Sequence, residues 1–253
     1  MEHTKKQFTW GFVLLTLGLM PLLHSGCSKA KGGSDDDDDV PKAGYVTGTA
    51  KDQAGKPLAG TRIIIDHSIF FNANISTLTN GQGKYAVKVP TGSWYAFAIQ
   101  EVAYNGKTYS FYLHPDNPAG FSGEGAVRNF VWKLSGTKPQ PLSGNYGGLV
   151  TIDHFPGVYI DDDKIDFVFT PLGPLIDGSQ GEVLRLRAED AYTIKDIPIG
   201  RYRLTATYEG KPVLFRRRNS DETFVEDYEL NFEPQLAAQC DNCAALEYYL
   251  GKK

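Results

Sequence analysis

The sequence predicts an all-β protein with two antiparallel β-sandwich domains and a short C-terminal helix. Runs of about five to seven residues, rich in β-branched and aromatic side chains, recur along the chain. Glycine and proline, with 27 and 14 copies in 253 residues, fall between these runs as turn formers. No segment up to residue 233 keeps a helical period, so a helix is expected only near the C-terminus.

The first domain is predicted over residues 43–135, where strand and turn signals alternate. Residues 45–50 are followed by a turn and by a β-branched run at 61–65. Residues 84–89 alternate polar and apolar side chains, as a half-buried strand does. A Pro-Thr-Gly turn then leads to the aromatic run at 94–99. Short strands joined by tight turns indicate antiparallel pairing.

A second β-sandwich is predicted over residues 146–233, after a proline-containing linker at 136–145. A short internal repeat relates the two domains, because residues 89–98 align without a gap to 197–206 and both segments contain a Pro-x-Gly turn. The strands expected in the second domain are 148–152, 164–170, 182–187, 191–194 and 201–208.

The C-terminal segment, 234–253, is predicted to be helical. Its helix is expected over 235–250, after Pro234 and before Gly251. Apolar residues recur there at the three- and four-residue spacings of one helix face. These residues are Leu236, Cys240, Cys243, Leu246 and Leu250.

The first 26 residues have the layout of a secretory signal peptide. Lys5 and Lys6 precede an apolar stretch at 8–23, and small residues lead up to Cys27. The apolar stretch is shorter than the roughly 20 residues of a membrane-spanning helix. An uncleaved membrane anchor is the alternative.

The Ser-Gly-Cys sequence at 25–27 resembles the lipobox of bacterial lipoproteins, in which the cysteine becomes the lipidated first residue. The resemblance implies lipid attachment at Cys27 and a protein of the cell envelope, anchored at the outer membrane on its periplasmic or surface-exposed side. Residues 27–42 read as a flexible acidic tether, with an aspartate run at 35–39. This composition is similar to the surface-export signal of Bacteroidetes lipoproteins, and a plain solvated spacer is the alternative.

Three motifs of the first domain occur in a characteristic order. They are a turn with Gly-Lys-Pro at 52–60, a glycine-rich turn at 79–85, and Val-Pro-Thr-Gly-Ser-Trp at 89–94. With these motifs, residues 44–98 resemble the carboxypeptidase regulatory-like domain, a transthyretin-like β-sandwich. The glycines permit positive φ at tight turns, and the aromatic residues that end the last two motifs are expected to face inward. The resemblance implies an accessory fold without a reaction of its own.

Motifs of the common enzyme classes are missing from the sequence. None of the 5 histidines has a glutamate three residues further on, as a zinc carboxypeptidase would require, and H-E-x-x-H does not occur. The G-x-S-x-G nucleophile motif and the phosphate-binding loop are also missing. We therefore predict no enzymatic activity, no catalytic residue, no metal and no cofactor. A net charge of −4 argues against nucleic-acid binding.

Once Cys27 is lipidated, an even pair of cysteines remains. Cys240 and Cys243 are predicted to form a local disulfide in an oxidising compartment, with two buried thiols as the alternative. Their C-x-x-C spacing suits a redox or zinc site less well, because no thioredoxin-like pattern and no further ligands accompany it. The aspartates at 161–163, with Asp166, lack the spacing of a calcium loop and are expected in a solvated turn.

Two groups of polar and aromatic residues in the first domain are candidates for ligand binding. Aromatic faces beside amide and carboxylate groups can hold sugars, and ordinary packing is the alternative. The candidate residues are His67, Asn72, Asn74, Tyr109, Tyr112, His114, Asp116 and Asn117.

The sequence therefore favours a non-enzymatic, membrane-tethered envelope lipoprotein that acts as a binding or scaffold module. Its expected partners are the membrane, through the lipid anchor, and a glycan or a protein. The alternatives are a hydrolase with a loop-borne active site and a purely structural envelope component. An exposed flat row of aromatic side chains would favour sugar binding.

Overall fold

Strands and turns make up the chain wherever the structure describes it. The computed structural model describes residues 40–190, 192–232 and 243–250, all within one compact unit. Among these residues the one helical segment is a short 3-10 turn, Asp162–Lys164, and no helix there is long and apolar enough to cross a membrane. The all-β prediction is confirmed for this part of the chain. The signal peptide, Cys27, the tether up to residue 39 and Cys240 lie outside the described residues.

The first half of the described chain is a β-sandwich of two four-stranded sheets. Its strands are β1 (Tyr45–Asp52), β2 (Arg62–His67), β3 (Asn74–Leu78), β4 (Lys84–Lys88), β5 (Trp94–Tyr104), β6 (Lys107–Leu113), β7 (Ala126–Val127) and β8 (Phe130–Trp132). One sheet has the order β4-β1-β7, with β8 also paired to β1, and the other has the order β3-β2-β5-β6. The rings of Phe111 on β6 and Trp132 on β8 lie 5.2 Å apart and join the two sheets.

Strand β1 organises its sheet because both of its edges are paired. It runs antiparallel to β4 on one side and parallel to β7 and β8 on the other. Between β7 and β8 the chain lies so close to β1 that a Cβ at Gly48 would be 1.9 Å from the Arg128 carbonyl oxygen. The Asn129 side chain accepts the Thr49 N–H at 2.9 Å, in place of a main-chain carbonyl. Glycine at position 48 is therefore a requirement of this pairing.

The strands of the second half are hydrogen-bonded into one continuous eight-stranded sheet. They are β9 (Gly148–His154), β10 (Asp166–Pro171), β11 (Leu184–Leu186), β12 (Thr193–Ile197), β13 (Gly200–Tyr208), β14 (Lys211–Arg217), β15 (Tyr228–Phe232) and β16 (Cys243–Leu250). Their order is β11-β10-β13-β14-β16-β9-β12, with β15 paired to β13. Phe167 on β10 and Phe215 on β14 lie on strands separated by β13, and their buried rings pack 5.9 Å apart in the core of this half. The structure thus shows one continuous sheet in this half, and the second sandwich stays a prediction.

The predicted C-terminal helix is wrong for residues 243–250. This segment forms β16, which lies parallel to β9 and antiparallel to β14. Leu246 and Tyr248 are buried, which is the period of two of a strand. Pairing on both edges satisfies the backbone groups of the strand and overrides the helix propensity of its alanine and leucine residues. The rest of the predicted segment, 234–242 and 251–253, lies outside the described residues.

The repeated Pro-x-Gly turn closes in the same way in both halves. Trp94 donates its indole N–H to the Pro90 carbonyl at 3.1 Å, and Tyr202 donates its hydroxyl to the Pro198 carbonyl at 2.7 Å. Both rings are buried near the start of long strands, β5 and β13. Tyr85, the other aromatic residue expected to face inward, is also buried. The short repeat in the sequence therefore corresponds to a repeated structural turn.

The segment 136–145, predicted as a linker, is held by the second half of the chain. The Asp196 carboxylate accepts the Gly136 N–H, at 2.9 and 2.8 Å from its two oxygens, and the Gly147 N–H at 3.0 Å. A single β-bridge closes the loop itself. One side chain on β12 thereby fixes both ends of the connection between the halves.

Candidate functional site

A row of aromatic side chains crosses the outer face of the sheet β3-β2-β5-β6. Tyr95 and Phe97 on β5 lie 6.3 Å apart, ring centre to ring centre, with their planes 23° from parallel. Tyr112 on β6 continues the row at 5.9 Å from Phe97. Tyr112 is 67% exposed and Tyr95 is 38% exposed, so both ends are open to solvent. We call these three residues the aromatic row.

The alternation of side chains along β5 creates the aromatic row. Trp94, Ala96 and Ala98 are buried in the sandwich, whereas Tyr95 is exposed and Phe97 is half-buried. Successive side chains of a strand point to opposite faces. β5 therefore places its two alanines in the core and its tyrosine and phenylalanine on the outer face, the reverse of a strand that only packs a core.

Polar groups lie at the Tyr95 end of the aromatic row. Asp66 faces Tyr95 across the β2–β5 pairing and accepts a hydrogen bond from its hydroxyl at 2.5 Å. This hydrogen bond raises the pKa of Tyr95, because the phenolate could not donate it. Asn74 is exposed and lies opposite Asp66 on β3. A carboxylate and an amide, both able to bind hydroxyl groups, thus end the row.

The loop between β2 and β3 adds a shallow concavity of about 460 Å³ at the same end. His67, Asn72 and Asn74 line it together with Tyr95. Tyr112 lies at the far end of the aromatic row. The structure therefore places these four residues proposed from the sequence, His67, Asn72, Asn74 and Tyr112, on or beside one surface.

His67 supports this loop from below. Its Nδ1 accepts the backbone N–H groups of Ile69 at 3.1 Å and of Phe70 at 3.2 Å. Its ring contacts Phe70, with centres 4.6 Å apart, and meets the buried Trp94 edge-on at 4.7 Å. His67 thus connects the loop to the core, and its Nδ1 lone pair is already occupied.

The other residues proposed from the sequence take part in packing or in loop hydrogen bonds. Tyr109 packs against the core. Asp116 accepts both the backbone and the side-chain N–H of Asn129, each at 3.0 Å. Asn117 accepts the backbone N–H two residues further on at 3.0 Å. His114 is half-buried, and desolvation lowers its pKa, which favours the neutral imidazole.

Sequence reasoning missed Tyr95 and Phe97 as members of this surface. The only signal was the alternation Tyr-Ala-Phe-Ala at 95–98, in which either set of side chains could have been the buried one. Which set is buried depends on which face of β5 packs against the other sheet. Residues distant in sequence determine which face this is. The buried Ile63 and Ile65 on β2, next to β5, belong to the face that turns inward.

Asp161, Asp162 and Asp166 each bind a neighbouring side chain. Asp161 forms an ion pair at 2.5 Å with the lysine three residues on, and Asp162 accepts the Tyr248 hydroxyl. Asp166 meets Arg187 at 2.7 Å, and this hydrogen bond lowers the pKa of Asp166. Within the described part of the chain, no group of three or more His, Cys, Asp or Glu residues could hold a metal ion.

Cys243 takes part in a disulfide bond at the start of β16. Its predicted partner, Cys240, lies outside the described residues, so this pairing stays a prediction. A disulfide is typical of proteins in an oxidising compartment.

No protein-family model matches the chain, and no curated protein matches it in sequence. Among solved structures, the Bacillus anthracis TIE protein is 15% identical at a TM-score of 0.28, over 66% of this chain and 29% of its own. A streptococcal ancillary pilin is 11% identical at a TM-score of 0.26, over 79% of this chain and 62% of its own. The major pilin T-13 of Streptococcus pyogenes is 10% identical at a TM-score of 0.29, over 85% of this chain and 98% of its own. This chain spans less than two thirds of the first two, and likenesses at such TM-scores say nothing about function.

Proposed function

We propose that the chain is a non-enzymatic binding protein of the cell envelope that holds a glycan on the aromatic row. The observation that carries this proposal is the line of Tyr95, Phe97 and Tyr112 on the outer face of one sheet, open to solvent at both ends and ending at Asp66 and Asn74. Sugar rings stack their C–H faces on aromatic rings, while their hydroxyls bond to carboxylate and amide groups. A sheet holds these groups in place before a ligand arrives, which reduces the entropy lost on binding.

We also propose that the first half is a carboxypeptidase regulatory-like module and that the second half is a sandwich of a related kind. The supporting features are the two four-stranded sheets of the first half, the inward-facing Tyr85 and Trp94, and the turn shared with Pro198–Tyr202. Such an accessory fold offers sheet faces for binding.

A lipid anchor at Cys27 is the means by which this module would stay at the outer membrane, on the periplasmic or the surface side. Its support is the signal-peptide layout of residues 1–26 and the Ser-Gly-Cys sequence. The tether at 27–42 would reach on the order of 50 Å when fully extended. Replacing Cys27 by alanine should move the protein out of the membrane fraction, and its unchanged retention there would contradict the anchor.

The glycan proposal is tested by probing a glycan array with the full chain and titrating the best glycan by calorimetry. Tyr112→Ala should weaken binding about tenfold, because losing one stacked aromatic ring costs roughly 1.5 kcal/mol. Tyr159→Ala is the matched control, since Tyr159 is an even more exposed tyrosine in the second half and lies outside the row. It should bind as the wild type does.

Two results would refute the proposal. Equal losses in Tyr112→Ala and Tyr159→Ala would show that the aromatic row has no special part in binding. Turnover of a substrate by the purified protein, abolished by one side-chain replacement, would instead establish an enzyme.

A further inference from the structure

Three consecutive apolar residues lie exposed in the loop between β2 and β3. Ile69 is 75% exposed, Phe70 is 63% exposed and Phe71 is fully exposed. We call these residues the apolar tip. A run of exposed apolar side chains is unfavourable in water and marks a surface that meets a partner.

The fold holds the apolar tip in a defined shape. The loop is closed at its base, where His67 donates its N–H to the Ala73 carbonyl at 2.9 Å. Ser68 donates both its N–H and its hydroxyl to the Ser93 carbonyl, at 2.9 and 3.0 Å. Because His67 Nδ1 accepts the N–H groups of Ile69 and Phe70, these amides are satisfied inside the loop. Satisfied amides are what an apolar, water-free environment requires.

The apolar tip carries no charge of its own. Residues 68–73 read Ser-Ile-Phe-Phe-Asn-Ala. The carboxylate nearest in sequence, Asp66, is bonded to the Tyr95 hydroxyl. Attraction to a partner would therefore come from apolar burial, and electrostatic attraction would contribute little.

We propose that the apolar tip inserts into the lipid surface of the membrane that carries the chain, an inference that rests on the lipid anchor of the proposed function. Three side chains are far fewer than the roughly 20–30 residues that each partner contributes to a stable protein interface. A lipid surface does not have to match the shape of the tip. The tether keeps the tip at a high local concentration near the membrane, so even weak insertion would hold it there. Insertion would bring the Tyr95 end of the aromatic row close to the membrane.

The test uses the full acylated protein with Phe71→Trp, reconstituted in phosphatidylcholine vesicles with brominated acyl chains. The emission of the new indole, obtained by subtracting the wild-type signal of the buried Trp94 and Trp132, should fall by at least half relative to vesicles without bromine, because bromine quenches an indole at the acyl chains. Added anionic lipid should leave the quenching unchanged, since the tip carries no charge. Tyr159→Trp, an exposed aromatic position outside the loop, is the matched control and should not be quenched.

Flotation of the vesicles reports on the anchor separately. A protein that floats with the vesicles but shows no quenching at Phe71→Trp would overturn insertion of the tip and leave the anchor intact. A protein that does not float would overturn both. Equal quenching of the two variants would also overturn the inference, as would photocrosslinking from position 71 to a protein in place of lipid.

Discussion

At the scale of single residues, Arg216 and Glu247 form a well-shielded ion pair between β14 and β16. The charged groups meet at 2.8 Å, with side chains only 20% and 12% exposed. The guanidinium also lies over the rings of Phe155 and Phe224, at 5.1 and 4.5 Å from their centres. The Asn219 N–H donates to Glu247 at 2.9 Å, and this hydrogen bond, followed by that from Arg216, lowers the pKa of Glu247.

The lowered pKa makes the contribution of Glu247 dependent on pH. Its stabilisation should be present above the ordinary glutamate pKa of 4.5 and be lost as the pH falls through the lower value of the folded state. Glu247→Gln should therefore reduce the free energy of unfolding by about 1 kcal/mol at pH 7. Urea unfolding at pH 7 and pH 3 should show that the difference from wild type shrinks in acid. A difference that is constant with pH would contradict this, and the exposed Glu182→Gln serves as the control.

Gly48 should not tolerate a side chain. In Gly48→Ala the new methyl group would lie 1.9 Å from the Arg128 carbonyl oxygen, and β1 is paired on both edges and cannot move aside. We expect a loss of roughly 3 kcal/mol in the free energy of unfolding. Gly81→Ala is the control, because a Cβ there meets nothing within 4 Å, and it should change stability by less than about 0.5 kcal/mol. Similar melting temperatures for the two variants would refute the close contact.

At the scale of elements, the loop between the halves depends on Asp196, which sits on β12 at φ +60°. Asp196→Gly keeps this backbone conformation accessible and removes the carboxylate that holds Gly136 and Gly147. Hydrogen exchange at these two amides should become about tenfold faster or more, because each loses a bond to a charged acceptor. Asp196→Asn, which retains one acceptor oxygen, should have a smaller effect. Unchanged exchange in Asp196→Gly would show that the loop is held by other contacts.

Strand β16 gives a prediction that distinguishes it from a helix. Leu246 is 2% exposed between β9 and β14, whereas the preceding Ala245 is exposed. Leu246→Ala should therefore cost about 2–5 kcal/mol of unfolding free energy, and Ala245→Ser should cost less than about 0.5 kcal/mol. Chemical denaturation of both variants checks this. Equal effects at the two positions would argue against the alternating burial of a strand.

Local signals predict the first half well and the C-terminus poorly. The predicted strands 45–50 and 84–89 coincide closely with β1 and β4, because turn residues on either side fix where such strands begin and end. In 243–250 the spacing of apolar residues fits a helix and a strand alike, and pairing with β9 and β14 decides the outcome. That pairing joins segments far apart in sequence.

The candidate surface, too, could be predicted only where it does not depend on packing between distant segments. His67, Asn72, Asn74 and Tyr112 could be proposed from composition, because polar and aromatic residues on excursions between strands suggest a site. Tyr95 and Phe97 could not, since the face of β5 that is buried depends on packing between two sheets.

At the scale of the whole molecule, the two halves present different surfaces. Strands β10, β11 and β13 form a concavity of about 640 Å³ whose lining includes Arg185, Thr205 and Thr207 but no exposed row of aromatic rings. The aromatic row lies only on the first half. A sugar is therefore expected to stack on the first half. Arg185→Ala, in the second half, should leave glycan affinity unchanged in calorimetry.

The most direct test of glycan binding on the aromatic row is NMR mapping of the isotope-labelled protein titrated with its best glycan. The largest shifts are expected at Tyr95, Phe97 and Tyr112, with a smaller one at the Asn74 amide. Shifts centred on Arg185 and Thr205 instead would contradict the assignment of binding to the aromatic row.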